Sequence, residues 1–212
     1  MRPYLSLDIE TTGLSIEKSE VLEVGFIADT FSGPINKLPS YNILVALHTI
    51  AYAEPYALVM NHSILAEIVN QDSKVVKHSV EDTFKAFRNA VLWLSEVSHD
   101  YDVKQGLKYP SKKITIAGKN VASFDLPILK NFFLRHGIDP EQVKSVFDLI
   151  GNRTLDVGSM YFSKFGYIPS LSEINAITDR QVVSHRAVED ATDVVCAVRS
   201  IMGVNYDGTS GR

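Results

Sequence analysis

Cysteine is almost missing from this chain of 212 residues: Cys196 stands alone, inside the apolar run VVCAV. An internal disulfide is therefore excluded, and a lone thiol in such a setting reads as buried and inert. Long hydrophobic runs are missing too. No stretch approaches the roughly 18 consecutive apolar residues of a membrane span, and the opening MRPYLSLDIE puts an acidic pair where a signal peptide needs its apolar stretch. The expectation is a cytoplasmic protein with no membrane partner. An excess of positive charge is lacking as well, since 21 Lys and Arg stand against 25 Asp and Glu for a net charge of −4. That balance fits poorly with nucleic-acid binding, which usually rests on Lys and Arg, unless acidic side chains are neutralised by bound cations. Linkers, repeats and low-complexity tracts are absent, so one compact domain over residues 1–203 with a short tail at 204–212 is expected. With 45% hydrophobic and 22% charged residues, disordered and fibrous classes drop out.

The order of patterns suggests an α/β fold. Tyr4 to Ile9 alternates, with Leu5, Leu7 and Ile9 on one face and Ser6, Asp8 and Glu10 on the other. Two further apolar runs, VLEVGFIAD at 21–29 and YNILVAL at 41–47, flank a Gly-Pro turn and predict three antiparallel strands. Residues 56–69 read as one or two short helices. Val80 to Val97 reads as a longer one behind a Ser79 cap, followed by a charged loop from His99 to Lys113. KITIAG at 113–118 reads as a buried strand, and Ser123 to His136 as a helix stopped by Gly137. After a connector of short pieces come helices at 154–164, at PSLSEINAI, and from Ser184 to Met202. The expected architecture is a ribonuclease H-like mixed sheet with helices on both faces.

Asp8 and Glu10 lie one residue apart on a strand, so both carboxylates leave the same face while Leu7 and Ile9 enter the core. Two like charges that close are costly without a cation. They end an apolar strand and run into Thr11-Thr12-Gly13-Leu14, a turn whose backbone can approach a ligand closely. Asp125 stands at the start of a helix, where an ordinary cap would also explain it. His185 and Asp190 are five positions apart, about 500° of helical rotation, so they share a face only if His185 sits at the helix start. Glu189 and Asp193 read as exposed helix acids, and Asp156 as a helix cap.

The runs LDIETTGL, AGKNVASFDLPIL and SHRAVEDATDVV together resemble the three motifs of the DnaQ-like (DEDDh) 3′–5′ exonucleases. That family includes polymerase proofreading subunits, ribonuclease T and oligoribonucleases. The resemblance implies two divalent cations, Mg²⁺ or Mn²⁺, held by Asp8, Glu10, Asp125 and Asp190, with His185 as general base. It also implies a single-stranded nucleic acid with a free 3′ end as partner. Thr11, Thr12, Gly13, Leu14, Asn120 and Phe124 would meet the terminal nucleotides. EPYALVMNHSIL resembles the element lying across the last base, which would bring in Met60 and Asn61; Leu58 and Met60 packed inside a core-facing helix is the alternative. DNA is slightly favoured over RNA, with an oligoribonuclease or ribonuclease T-like enzyme as the alternative and a non-catalytic binding module as the more distant one. A homodimer or a replication partner is left open by the sequence.

Overall fold

The computed structural model describes residues 1–47, 49–70, 74–178 and 185–205. The elements in chain order are β1 (Tyr4–Thr11), β2 (Val21–Asp29), a 3-10 turn (Ile35–Lys37), β3 (Ser40–Val45), α1 (Pro55–Met60), α2 (His62–Val69) and β4 (Lys77–His78). They continue with α3 (Val80–Lys104), β5 (Thr115–Gly118), α4 (Asp125–Arg135), α5 (Pro140–Phe147), β6 (Leu155–Asp156), α6 (Val157–Phe165), α7 (Leu171–Ile177) and α8 (Ala187–Ile201). The sheet runs β4-β3-β2-β1-β5-β6. The pairs β1–β2 and β2–β3 are antiparallel, whereas β1–β5, β5–β6 and β3–β4 are parallel. This is the expected mixed sheet of a ribonuclease H-like α/β fold.

β1 lies inside the sheet and is covered on both faces. On one face Leu5, Leu7 and Ile9 pack with Phe84, Phe87 and Leu94 of α3, Ile128, Leu129, Phe132 and Phe133 of α4, and Val143 and Val146 of α5. On the other face Tyr4, Ile27 and Ala117 pack with Val157 and Tyr161 of α6, Ile174 of α7 and Ala191, Val194, Val195 and Val198 of α8. Burial on both sides is the main source of stability for such a strand, at roughly 25 cal/mol per Å² of apolar surface removed from water. It also makes β1 a rigid mount for whatever projects from its end.

Helix ends follow local chemistry. Ser79 accepts from the N–H of Asp82 to cap α3, Asp139 caps α5, and Ser170 with Glu173 forms a capping box on α7. Beyond the end of α4, Gly137 takes a left-handed φ of 83° that side chains disfavour. The expected loop at His99 to Lys113 is instead helix as far as Lys104. The buried face of those last turns is polar, comprising Ser95, Ser98 and Asp102, so apolar periodicity fades there although the helix continues. Arg2 and the Ser111 N–H hold the buried Asp102 carboxylate. The connector after Gly137 contains a further helix, α5. β4 and β6 have two residues each, too short to show any alternation. The expected start of the last helix at Ser184 lies outside the described residues, as does most of the tail. Among the described residues, no helix is long and apolar enough to cross a membrane.

Candidate active site

Four carboxylates from three elements meet at the end of β1. Asp8 and Glu10 project from the face covered by α8, and a register shift between Glu10 and Thr11 interrupts the β1–β2 ladder at that point. Such bulges re-aim side chains at sheet ends. Asp125, the first residue of α4, is buried and accepts the N–H of Ile9 at 3.1 Å. The backbone between the two β1 carboxylates therefore ties the third one down. Asp190 comes from the first turn of α8 and is also buried, with Oδ1 lacking a hydrogen-bond partner among the described residues. Ligand atoms of Glu10, His185 and Asp190 all lie within 4.8 Å of one another.

His185 reaches this group from just outside α8. Its φ is 52°, in the left-handed region, and Arg186 follows with extended backbone as the N-cap. The histidine thus stands at the helix start, as the rotation between positions 185 and 190 requires, and is exposed.

The electrostatics are those of crowded acids. Burial first, then the charges of Asp125, Asp190, Glu10 and Glu23, hold the Asp8 carboxyl well above the usual range. Burial pushes Glu10 up to about 7, against the opposing effects of a hydrogen bond from Asn61 and the positive charge of Arg186. Asp125 is raised to about 7 by burial, opposed by backbone hydrogen bonds from its own N–H and that of Ile9. Asp190 is raised to about 7 by burial and then by Glu10. A buried acceptor beside carboxylates that burial and mutual charge push toward their protonated forms fits the donor set of an oxygen-ligand cation site. The donor set suits hard Mg²⁺ or Mn²⁺ and offers no thiolate.

The neighbouring residues are ordered by hydrogen bonds. Thr11 Oγ1 donates to the Gly13 carbonyl at 2.7 Å, and Thr12 Oγ1 accepts from the Glu20 N–H at 2.9 Å. Leu14 is 70% exposed, directly beside the carboxylates in sequence. Asn61 is buried at the junction of α1 and α2 and donates to the Thr11 carbonyl at 3.0 Å. Met60 is half-buried at the end of α1. Asn120 has a φ of 58°, and its carbonyl accepts the N–H groups of Ser123 and Phe124. Phe124, half-buried, packs against the core cluster that includes Leu5, Leu7 and Ile9. Asp156 caps α6 through the Ser159 N–H and also accepts the Asn120 N–H at 2.8 Å. Glu189 is exposed as expected, but Asp193 is buried and accepts from the Asn175 amide. A polar partner one helix away cannot be read from helical periodicity.

Two positions have no counterpart in the sequence reading. Glu54 accepts the Leu14 N–H at 3.1 Å and the Tyr52 hydroxyl at 2.7 Å, pinning the turn after β1. Glu23 is fully buried on β2 and gripped by Arg186. A carboxylate inside the apolar run VLEVGF was the available signal.

No protein-family model matches the chain, and no curated protein matches it. Solved structures do. The chain shares its fold with E. coli exonuclease I and S. pombe Pop2p. E. coli exonuclease I in its zinc-bound complex with single-stranded DNA superposes with a TM-score of 0.62 at 14% identity, over 95% of this chain and 41% of that one. The same enzyme with a dA16 oligonucleotide gives 0.62 at 15% identity, over 94% and 41%. S. pombe Pop2p in its Mg²⁺ and Mn²⁺ bound form gives 0.57 at 12% identity, over 98% of this chain and 86% of that one. The chain thus spans about two fifths of the length of exonuclease I. At these identities the likeness establishes the fold.

Proposed function

We propose that the chain is a metal-dependent 3′–5′ exonuclease that hydrolyses single-stranded nucleic acid, with DNA favoured, to nucleoside 5′-monophosphates. The observation that carries the reading is the group of Glu10, His185 and Asp190, whose ligand atoms lie within 4.8 Å of one another, with the buried carboxylates of Asp8 and Asp125 interacting electrostatically with it and an Asp190 oxygen that has no hydrogen-bond partner among the described residues. In this reading the four carboxylates hold two divalent cations, Mg²⁺ or Mn²⁺. Bound cations of this kind acidify an attacking water and stabilise charge on the scissile phosphate and the leaving 3′-oxygen. His185 takes the water's proton, a task an imidazole performs near neutral pH. The turn from Thr11 to Leu14 seats the 3′ end, Asn61 orients Glu10 from the side of α1 and α2, and the exposed Leu14 offers a stacking surface for bases. Asn120, Phe124 and Met60 line the approach.

Support comes from the fold shared with exonuclease I, whose structures hold single-stranded DNA, and with Pop2p, whose structure holds Mg²⁺ and Mn²⁺. The deciding experiment is digestion of matched single-stranded DNA and RNA oligonucleotides with Mg²⁺, then with Mn²⁺, against a chelator control. Faster loss of DNA is the expected result. Preferential loss of RNA would move the assignment to an oligoribonuclease-like enzyme, and intact oligonucleotides in every arm would leave a binding module.

A further inference from the structure

Arg186 follows His185 and pairs with Glu23 of β2. Its Nε lies 3.0 and 3.2 Å from the two carboxylate oxygens of Glu23, and its terminal nitrogen lies 2.6 Å from the first of them. The other terminal nitrogen donates to Glu67 on α2 at 3.1 Å. Glu23 also accepts the N–H of Ala187 at 2.9 Å and the Asn42 amide at 3.0 Å. Since the Arg186 side chain provides no cap for α8, a buried acid on a neighbouring strand caps it instead.

The placement of Glu23 matters. It pairs directly with Glu10 across the β1–β2 ladder, so the two carboxylates share a face. Without a cation between them that pairing would be repulsive. Arg186 neutralises Glu23 in a planar, bidentate grip that lysine cannot copy. At the next position on that face, Gly25 lets the backbone of Ala187 come so close that a built Cβ would lie 2.1 Å from the Ala187 carbonyl carbon. The start of α8 is thus fixed to β2 by contact and by charge, one residue from His185.

We propose that Arg186, clamped by Glu23 and Glu67, is a positioning residue that holds His185 over the carboxylate cluster. This rests on the exonuclease reading above. The clamp fixes the residue after His185 to the strand opposite the metal-binding strand, so the imidazole is located relative to Glu10 by a rigid path of a few bonds. Glu67 extends the same path to α2, which continues from Asn61. The clamp therefore joins the general base to the arm expected to lie over the terminal nucleotide.

The test is a double-mutant cycle on the full chain, read by single-turnover hydrolysis of a 5′-labelled single strand at saturating Mg²⁺. Arg186→Lys keeps the charge and loses the fork. It should slow hydrolysis about 10–100-fold, the scale on which small misplacements of reacting groups are felt, with KM and calorimetric Mg²⁺ affinity unchanged. In a His185→Ala background the same substitution should cost less than about twofold, because residues acting as one unit are non-additive. Losses that multiply, no loss in the native background, or weakened Mg²⁺ binding would overturn the proposal. Glu67→Gln touches the clamp from its partly exposed side and leaves the Glu23 pair intact, so it decides the matter if Arg186→Lys does not fold. Its expected loss is about 3–10-fold and should likewise vanish with His185→Ala. A native chain whose hydrolysis depends on His185 but ignores both substitutions would sink the clamp alone. One that hydrolyses neither DNA nor RNA would sink the exonuclease reading with it.

Discussion

Asp125 holds the backbone N–H of Ile9, the one residue that separates Asp8 from Glu10. The spacing of two carboxylates on β1 is thereby coupled to the placement of a third on α4. Each would repel the others in the absence of a cation, and the fold tolerates this because burial favours their protonated forms.

Chelation should abolish hydrolysis, and Mg²⁺ or Mn²⁺ should restore it. Asp8→Asn should be inactive while the metal-free protein melts at the same temperature or higher, since one member of the crowded set is gone. Full activity in excess chelator, or an Asp8→Asn protein that melts lower, would contradict the assignment.

Stability of the metal-free protein should fall as pH rises. Glu10, Asp125 and Asp190 titrate near 7 in the folded chain, against about 4 for unfolded carboxyls. Between those values the native state holds more protons than the unfolded one, so each step up in pH removes native protons and stability with them. The melting temperature should be lower at pH 8 than at pH 5 by more than about 10 °C, with saturating Mg²⁺ shrinking the gap. Scanning calorimetry at the two pH values, with and without Mg²⁺, checks this. A melting temperature indifferent to both would be inconsistent with crowded acids.

His185→Ala should lower kcat by roughly 10²–10⁴-fold, the usual result of removing a general base. Affinity for Mg²⁺ should barely move. If calorimetry showed a cation lost as completely as in Asp190→Ala, the imidazole would be a ligand and the base would lie elsewhere.

On a single strand labelled at its 5′ end, products should form a ladder shortened one nucleotide at a time from the 3′ end. A bulky 3′ block should stop the ladder, whereas a 5′ block should not matter. Fully paired ends should be cut more slowly, because unpairing costs a few kcal/mol. Early release of the label as a mononucleotide, or rapid cutting of circular strands, would reverse the assigned polarity.

Gly25→Ala should destabilise the protein by about 1–3 kcal/mol, as overpacking typically does, because its Cβ would meet Ala187 backbone rather than a flexible side chain. Denaturant melts measure the loss. A neutral result would mean that α8 can lift off β2 freely.

Much of this was legible from the chain because the signals are local. Alternation on β1 placed Asp8 and Glu10 on one face, and the five-residue spacing put His185 ahead of its helix. What stayed hidden depends on contacts distant in sequence. Asp193 looked like a surface acid until Asn175 closed over it, and the last turns of α3 looked like loop because Arg2 satisfies Asp102 from the far end of the chain. Glu23 stood in plain view within an apolar strand, but its meaning depends on Arg186, 163 positions away.

Arg199, fully buried in the last turn of α8, binds Asp29 on β2 with Nε at 2.9 Å and a terminal nitrogen at 2.7 Å. The helix is thus riveted to one strand at both ends, through Arg186 to Glu23 and through Arg199 to Asp29. Six strand steps separate the two acids, and at about 3.3 Å each they span roughly 20 Å. Thirteen helical steps separate the two arginines, and at about 1.5 Å each they span nearly the same length. Helix and strand therefore act as two matched rulers, and Asp190 is the graduation that falls beside Asp8 and Glu10. A residue added or removed between the rivets on either ruler alone would bring them out of step, which makes the length of these two segments as decisive for the placement of the carboxylate cluster as the acids themselves.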